Sequence, residues 1–437
     1  MTKQVKIPIY GNFHFESAKI PPKMAGIFFY HEKPRHDAIL TILKFPYMVI
    51  LILSLQIDFT GLFFVLKSLA EVFHMNFYDL FHSQAKIFRS KTLLQVDNQK
   101  ISYSDFLNAN SNSKFHSQAK NFIISNRSNT FELKTSGSTA FPKSLTRSFN
   151  SWNDFFTVQN KIFRVNEDSK LFMHGDLNFT GNLNTFLAVL SAGGSIITTD
   201  KFNPRTWNDL ISQSTNIYLV PTKLTLLKDK IHENIRSIFT GSQILSAAQS
   251  ISLLNRFPNA EIFLYYGASE LSFITYKKIS ADNAADIQNL GKPFDGVKIF
   301  IKDGFIYVDT PFRAENIPNP ATVGDMGRIE DGNLIFLGRG DDFINRGGVK
   351  ISALAIEQKI SAINGVKAAA VVKINDNLRG DNFLAYVVGD LDKKIIRQAL
   401  NPAELPKDII FVIDLPLNSA GKVDKKLLIA QMSQTLQ

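Results

Sequence analysis

Cysteine is absent from the 437 residues. That excludes disulfides, thiolate metal sites and a cysteine nucleophile. Tryptophan occurs only twice, while phenylalanine occurs 37 times, a bias that points to Phe-rich cores or an apolar ligand surface without choosing between them. Long uncharged apolar runs are also missing. The most apolar stretch, residues 45–66, is divided by Asp58 into runs of 13 and 8 residues, short of the roughly 20 that a membrane-crossing helix needs. Residues 1–8 lead into a polar stretch with no apolar core, so no secretory leader is expected and the cytoplasm is the default compartment. No nucleic-acid motif is present, nor a G-x-x-x-x-G-K-[ST] phosphate loop.

Positive charge is in excess, and it is unevenly placed. The net charge is +10, and residues 1–150 carry 18 Lys/Arg against 9 Asp/Glu. Such an excess suits an anionic ligand, an acidic carrier protein or a membrane surface, and a solvated basic face is the plain alternative. The length predicts two or three domains. Prolines at 8, 21, 22 and 34 punctuate an irregular start. Three readings stand for residues 45–66: a core or packing helix, a membrane-associated hairpin or anchor, and an extension outside the working protein. FHSQAK occurs twice, at 81–86 and 115–120, too few copies for a repeat architecture.

From about residue 91 short apolar runs alternate with helical stretches. LLQV, LFMHG, GSIITT, NIYLVP, SIFTGS and EIFLYYG read as buried strands, and their alternation with helices implies a layered sheet covered on both faces. Near residue 340 the texture changes to VKIS, an amphipathic LAIEQKISAI, KAAAVVKI and NFLAYVVG, the pattern of a small α+β unit. The expected fold is α/β: a large N-terminal layered body and a small mobile α+β C-terminal domain. The expected divisions are an atypical extension over 1–90, a large domain over 91–340 and a small one over 341–437. The Gly- and charge-rich GRGDDF stretch is suited to a hinge.

Four segments carry chemistry. In Thr135-Ser136-Gly137-Ser138-Thr139-Ala140-Phe141-Pro142-Lys143, small residues admit an anion to the backbone, and hydroxyls, amides and a lysine can ring it. Tyr265-Tyr266-Gly267-Ala268-Ser269-Glu270 follows an apolar strand, where open α/β sheets bind ligands. Its hydroxyl and carboxylate could hold phosphate and Mg²⁺. Gly324-Asp325-Met326-Gly327-Arg328 precedes Gly338-Arg339-Gly340-Asp341-Asp342, pairing an acceptor for vicinal hydroxyls with a guanidinium fork. Pro416-Leu417-Asn418-Ser419-Ala420-Gly421-Lys422-Val423-Asp424 sets a lysine on a glycine-flanked loop. Taken singly, each has a bland reading: a solvated turn, a surface ion pair, a solvated lysine loop.

Together and in this order the four resemble the adenylate-forming superfamily, the acyl- and aryl-CoA synthetases and the adenylation domains of nonribosomal peptide synthesis. The resemblance covers about residues 91–430, with Gly241-Ser242 and Gly291-Lys292-Pro293 at matching places. It implies an ATP-dependent ligase that makes an acyl-adenylate from a small-molecule carboxylic acid, with Mg²⁺. The acyl group would then pass to CoA or to the phosphopantetheine of an acyl or peptidyl carrier protein. By resemblance, Thr135, Ser136, Gly137, Ser138, Thr139 and Lys143 would steady the triphosphate. Gly241 and Ser242 would form the adenine turn, and Tyr266 and Gly267 would lie near adenine and acyl group. Ser269 would sit at phosphate and Glu270 at the metal. Asp325 and Arg339 would hold the ribose, Lys350 would lie near phosphate, Asp341 would be the hinge and Lys422 the catalytic lysine. Two departures stand out. Ala140 replaces a glycine of the family pattern, and only about 30 residues separate Tyr103 from Thr135, where the family has a far longer segment. They leave a second reading open, a catalytically weak homologue that binds nucleotide or acyl chains or acts as a scaffold. Asn178 lies roughly at the acyl pocket, and the nearby His174 reads as a structural histidine.

Overall fold

The computed structural model describes residues 39–45, 48–54, 75–135, 143–227, 230–346, 349–376, 380–416 and 423–435. It divides into two units, residues 1–74 and 75–437. In the first, β1 (Ile39–Phe45) and β2 (Met48–Ser54) form an antiparallel hairpin, registered from Ile39↔Ser54 to Phe45↔Met48. Of the stretch for which a packing helix was one reading, Met48–Ser54 is therefore strand. Val49, Ile50 and Ile52 are β-branched, and such side chains are restricted in a helix and favoured in strands.

The second unit opens with α1 (Phe77–Ile87), β3 (Thr92–Val96), β4 (Gln99–Ser102) and α2 (Lys114–Ser125). A hairpin of β5 (Thr130–Thr135) and β6 (Lys143–Ser148) leads to α3 (Phe149–Ile162). Strands and helices then alternate through β7 (Lys170–Met173), α4 (Thr180–Ser191), β8 (Ser195–Thr198), α5 (Pro204–Ile211), β9 (Asn216–Tyr218), β10 (Ser237–Gly241), α6 (Ala247–Arg256) and β11 (Glu261–Ala268). With β12 (Ser272–Ile279) and β13 (Lys292–Pro293) they build a nine-stranded sheet of order β13-β12-β11-β10-β9-β7-β8-β3-β4. Every neighbour from β3 to β11 is parallel, and the outer pairs are antiparallel. β8, β9 and β10 are buried along their whole length, as expected for a parallel sheet covered on both faces. Parallel strands put their carboxyl ends on one rim, so His174, Thr199, Leu219, Ser242 and Ser269 follow strands that end together.

Aromatic packing fills the core. Phe77 meets Phe131 and Phe149 edge-on, and Phe155 packs between Phe294 and Phe312. The two FHSQAK copies fall in α1 and α2, and each sends its phenylalanine, Phe81 or Phe115, into the same core. On packing, α1 thus belongs with the body. Helix starts are capped both from a distance and locally. Asp200 accepts the Lys114 and Phe115 amides of α2 at 2.7 and 3.1 Å, and Ser246 and Gln249 form a capping box on α6.

A four-stranded sheet follows, β14 (Lys298–Lys302), β15 (Phe305–Asp309), β16 (Asp325–Glu330) and β17 (Asn333–Arg339), in that order. After a single 3-10 turn at Gly340–Asp342 come β18 (Phe343–Arg346), β19 (Val349–Ser352), α7 (Ala353–Ser361), β20 (Val366–Asp376), β21 (Gly380–Gly389), α8 (Lys393–Gln398), β22 (Asp408–Phe411) and α9 (Lys425–Thr435). These strands form a five-stranded sheet with β22 parallel to β21. It has its own apolar cores, one around Ile356, Phe383 and Ile409 and another around Leu384, Tyr386 and Leu428. The architecture is thus the α/β body with a smaller α+β C-terminal part that the sequence leads one to expect. Asp424 N–H donates to Pro416 O at 2.7 Å. Lys425 Nζ lies 3.0 Å from Glu357 and 3.8 Å from Asp342, and Glu357 also accepts Val371 N–H at 2.8 Å.

Phe163 is fully buried and stacks on Phe239 with ring centroids 4.4 Å apart. Phe163→Ala is expected to destabilise the body by about 3–5 kcal/mol. A denaturant midpoint unchanged from wild type would show that the stack adds nothing.

Candidate active site

At the end of β11 the backbone register shifts between Tyr266 and Gly267. A β-carbon at Gly267 would stand 2.6 Å from Ser272 O, so only glycine lets β12 approach this closely. The turn that follows carries Ser269 and Glu270. Ser269 Oγ donates to Thr180 Oγ1 at the start of α4, at 3.1 Å. Its carbonyl accepts Arg147 Nη2 at 2.6 Å, and Arg147 Nη1 donates to Phe312 O at 2.8 Å. Arg147 is fully buried. Burial pulls its pKa down to about 9, and Glu270 and Glu315 act in the opposite direction. It fixes the turn through carbonyls 122 and 165 residues away, and no local motif marks it.

Tyr266, Asp325 and Arg339 meet beside this turn. Asp325 and Arg339 are directly paired across β16 and β17. Asp325 is buried and accepts Tyr266 Oη at 2.6 Å. Arg339 Nε stands 3.7 Å from the other carboxylate oxygen, and Arg339 Nη2 donates to Val323 O at 3.3 Å. Burial, and then the Asp325 charge, raise the Tyr266 phenol well above its usual range, so it stays a donor that orients the carboxylate. The Phe336 ring packs 6.0 Å from Tyr266. The arrangement offers a fixed carboxylate and an exposed guanidinium fork side by side.

Gly241 ends the adjacent strand, and a β-carbon there would meet the Tyr265 ring at 2.6 Å. Ser242 follows at φ +69°, exposed. Thr135 and Lys143 pair in register at the mouth of the β5–β6 hairpin. Ser136, Gly137, Ser138, Thr139 and Ala140 between them lie outside the described residues, as does Lys422. Lys350 is exposed on β19, opposite Asn345, and no described contact joins it to the Tyr266 cluster. Asp341 is exposed in the 3-10 turn, next to Gly340, whose N–H donates to Gly324 O at 2.8 Å. Asn178 is exposed and its N–H caps Asp176 at 2.9 Å.

Farther along the rim, Lys223 donates to His174 O at 2.8 Å and approaches His174 Nδ1 to 3.3 Å. The imidazole packs 4.6 Å from the Trp207 ring. Burial first, and Lys223 second, lower the His174 pKa from 6.5 to about 4, against the pull of Asp200. The unfolded chain therefore takes up a proton that the folded chain refuses, so this contribution is complete above pH 6.5 and is lost as pH falls toward 4. In His174→Asn, stability should fall less steeply between those pH values than in wild type, by at most about 3 kcal/mol in total. Denaturant titrations at several pH values that gave parallel curves for the two proteins would contradict this.

The family model for AMP-binding enzyme matches residues 72–305, and that for AMP-binding enzyme C-terminal domain matches residues 355–422. An uncharacterised acyl–CoA ligase, YhfT, of Bacillus subtilis is 29% identical over 331 residues, 69% of this chain and 68% of its own. A D-alanine–D-alanyl carrier protein ligase of Listeria monocytogenes is 24% identical, covering 72% of each chain. Among solved structures, ATP-bound MatB from Rhodopseudomonas palustris is similar with a TM-score of 0.64 at 25% identity, over 70% of this chain and 68% of that one. The first family model alone spans more than half of the sequence and includes Tyr266, with Asp325 and Arg339 just beyond its end: the chain belongs to the AMP-binding enzyme family.

Proposed function

We propose that the chain joins a carboxylic acid to the α-phosphate of ATP, releasing pyrophosphate, and then passes the acyl group from acyl-AMP to a thiol. The observation that carries this reading is the Tyr266–Asp325–Arg339 cluster at the carboxyl rim of the sheet, the place where open α/β sheets hold ligands. Asp325 accepts the vicinal hydroxyls of ribose, Tyr266 holds that carboxylate in position and the exposed Arg339 fork reaches ribose or phosphate oxygens. Gly241 and Ser242 border the adenine, with Gly267 close by. Thr135, Ser136, Gly137, Ser138, Thr139 and Lys143 steady the triphosphate, with Ser269 and Lys350 toward phosphate. Lys422 stabilises the charge that develops as the carboxylate attacks and pyrophosphate leaves.

Mg²⁺ is commonly held by one or two carboxylates together with substrate phosphates, and Glu270, a single carboxylate at the rim, fits that part. The ion would neutralise phosphate charge. Because the chain has no cysteine, the accepting thiol belongs to another molecule. The names of the relatives, an acyl–CoA ligase and a carrier protein ligase, support CoA or a carrier's pantetheine in that role.

The test is exchange of labelled pyrophosphate into ATP that depends on added carboxylic acid. Exchange with no member of a broad acid panel would end the reading. Lys422→Ala is expected to lower exchange by about 10²–10³ with little change in thermal stability, and near-normal exchange would remove Lys422 from the mechanism. Asp341 is assigned as the hinge. Asp341→Pro, which fixes φ near about −65°, should keep exchange while slowing thioester formation. Equal loss of both activities, measured on one preparation, would count against the hinge.

A further inference from the structure

Arg147 is a charged side chain in a largely aromatic core. It is fully buried on β6. Among the described residues its hydrogen-bond partners are carbonyls and a hydroxyl, with no ion pair. Nη2 donates to Ser269 O at 2.6 Å, Nη1 to Phe312 O at 2.8 Å, and Ser151 Oγ lies 3.4 Å from Nη1. A buried charge with no opposite charge in contact is costly, and a well-packed apolar side chain often serves a core better. An apolar chain cannot hold two carbonyls at once in a fixed geometry, whereas a planar guanidinium fork can.

Phe312 begins a short strap, residues 312–315, beyond the end of β15. Consecutive residues of the strap are stitched to two different elements. Ala314 N–H donates to Glu270 O at 2.8 Å, and Glu315 N–H donates to Thr146 O at 2.9 Å. Ser272 Oγ, at the start of β12, donates to the same Phe312 carbonyl at 2.7 Å. The strap is braced in turn. Phe312 N–H donates to Thr310 Oγ1 at 3.1 Å, Arg313 Nε donates to Ile317 O at 2.8 Å, and the Phe312 ring packs 4.8 Å from Phe155.

The two elements joined in this way are the ones to which the triphosphate is assigned. Thr146 and Arg147 lie on the strand that leaves the β5–β6 hairpin at Lys143, with Thr146 about 10 Å along it at the rise of a strand. Ser269 and Glu270 form the turn after β11. Arg147 bonds the strand to the turn directly, and the strap bonds them a second time through Glu270 O and Thr146 O. None of these bonds includes Tyr266, Asp325 or Arg339.

We propose that Arg147 is a positioning residue that locks the phosphate-loop strand to the Ser269–Glu270 turn. It thereby governs the seating of the magnesium–triphosphate end of ATP and leaves the nucleoside end to the Asp325 cluster. The role rests on the placement of triphosphate and Mg²⁺ given above; it does not depend on what happens to the acyl group.

Calorimetric titration with MgATP and with AMP separates the two ends. Arg147→Lys supplies a single donor group that cannot grip both carbonyls in the fork geometry. It should bind MgATP about tenfold more weakly than wild type and AMP within about twofold. Arg147→Gln, shorter and uncharged, should widen that gap. Phe163→Ala, destabilised in the same body but outside the strap, should leave the ratio of the two affinities unchanged when assayed well below its melting temperature. In pyrophosphate exchange, Arg147→Lys should lower kcat by about 10–100-fold and raise KM for MgATP, with KM for the acid held within about twofold. If both Arg147 variants fail to fold, Ser272→Ala carries the test. It removes only one hydroxyl from Phe312 O, and should weaken MgATP by about threefold with AMP unchanged. Equal loss of MgATP and AMP affinity, or loss of neither, would overturn the proposal, as would a wild type that binds AMP and not MgATP. If no acid supports exchange but the split in affinities holds, adenylation fails and the role of Arg147 stands. If exchange proceeds and the variants lose both ligands alike, adenylation stands and the role of Arg147 fails.

Discussion

The rim on which the catalytic reading is built depends on the direction of six strands. β3, β8, β7, β9, β10 and β11 are mutually parallel, and a parallel pair needs a crossover that returns the chain to the starting edge of the sheet. The consequence is one polar rim. Residues far apart in sequence arrive there because the strands point the same way: His174, Lys223, Ser242 and Ser269 follow strand ends, and Tyr266 lies in the last residues of β11. The opposite rim holds the strand starts. A sheet with one of these strands reversed would keep much of its apolar core and lose the site.

The second constraint is the handling of buried charge. Arg147 is withdrawn from solvent, but its two terminal nitrogens donate to the Ser269 and Phe312 carbonyls, and Glu270 and Glu315 lend it negative potential. A buried guanidinium anchored in this way turns two distant segments into one rigid support, and the Ser269 turn is one of them. Asp325 is treated similarly, with a phenol on one oxygen and a guanidinium near the other. In both cases the geometry is held by hydrogen bonds made within the chain itself.

How much of this was legible in the sequence follows from the range of each interaction. SIIT, NIY and SIFTG announce themselves as strands because both faces are buried and the apolar run is unbroken. The order of the glycine- and hydroxyl-rich segments marks the family, and the structure brings Tyr266, Asp325 and Arg339, from three of those segments, into contact. Arg147 and Lys223 were invisible. Their partners are carbonyls and side chains 49 to 165 residues away, and neither sits in a motif. Thr180 was missed for the same reason, since its value comes from Ser269, 89 residues on. The helical reading of the 45–66 stretch met a strand in Met48–Ser54 because apolarity alone does not separate helix from sheet, whereas the β-branched residues do.

The anchoring of the C-terminal segment has a mechanical meaning. Pro416 and Asp424 are joined by a 2.7 Å hydrogen bond, and the next residue, Lys425, is fastened to Glu357 and lies 3.8 Å from Asp342. The two ends of the segment are therefore pinned to each other, and Lys425 ties them to α7 through Glu357. If the 3-10 turn is the proposed hinge, a rotation there acts on the segment as a crank acts on its pin. The distance its anchor travels is the turning angle multiplied by the radius from turn to anchor. On the proposed two-step reaction, the timing of the half-reactions would then be a property of one pivot.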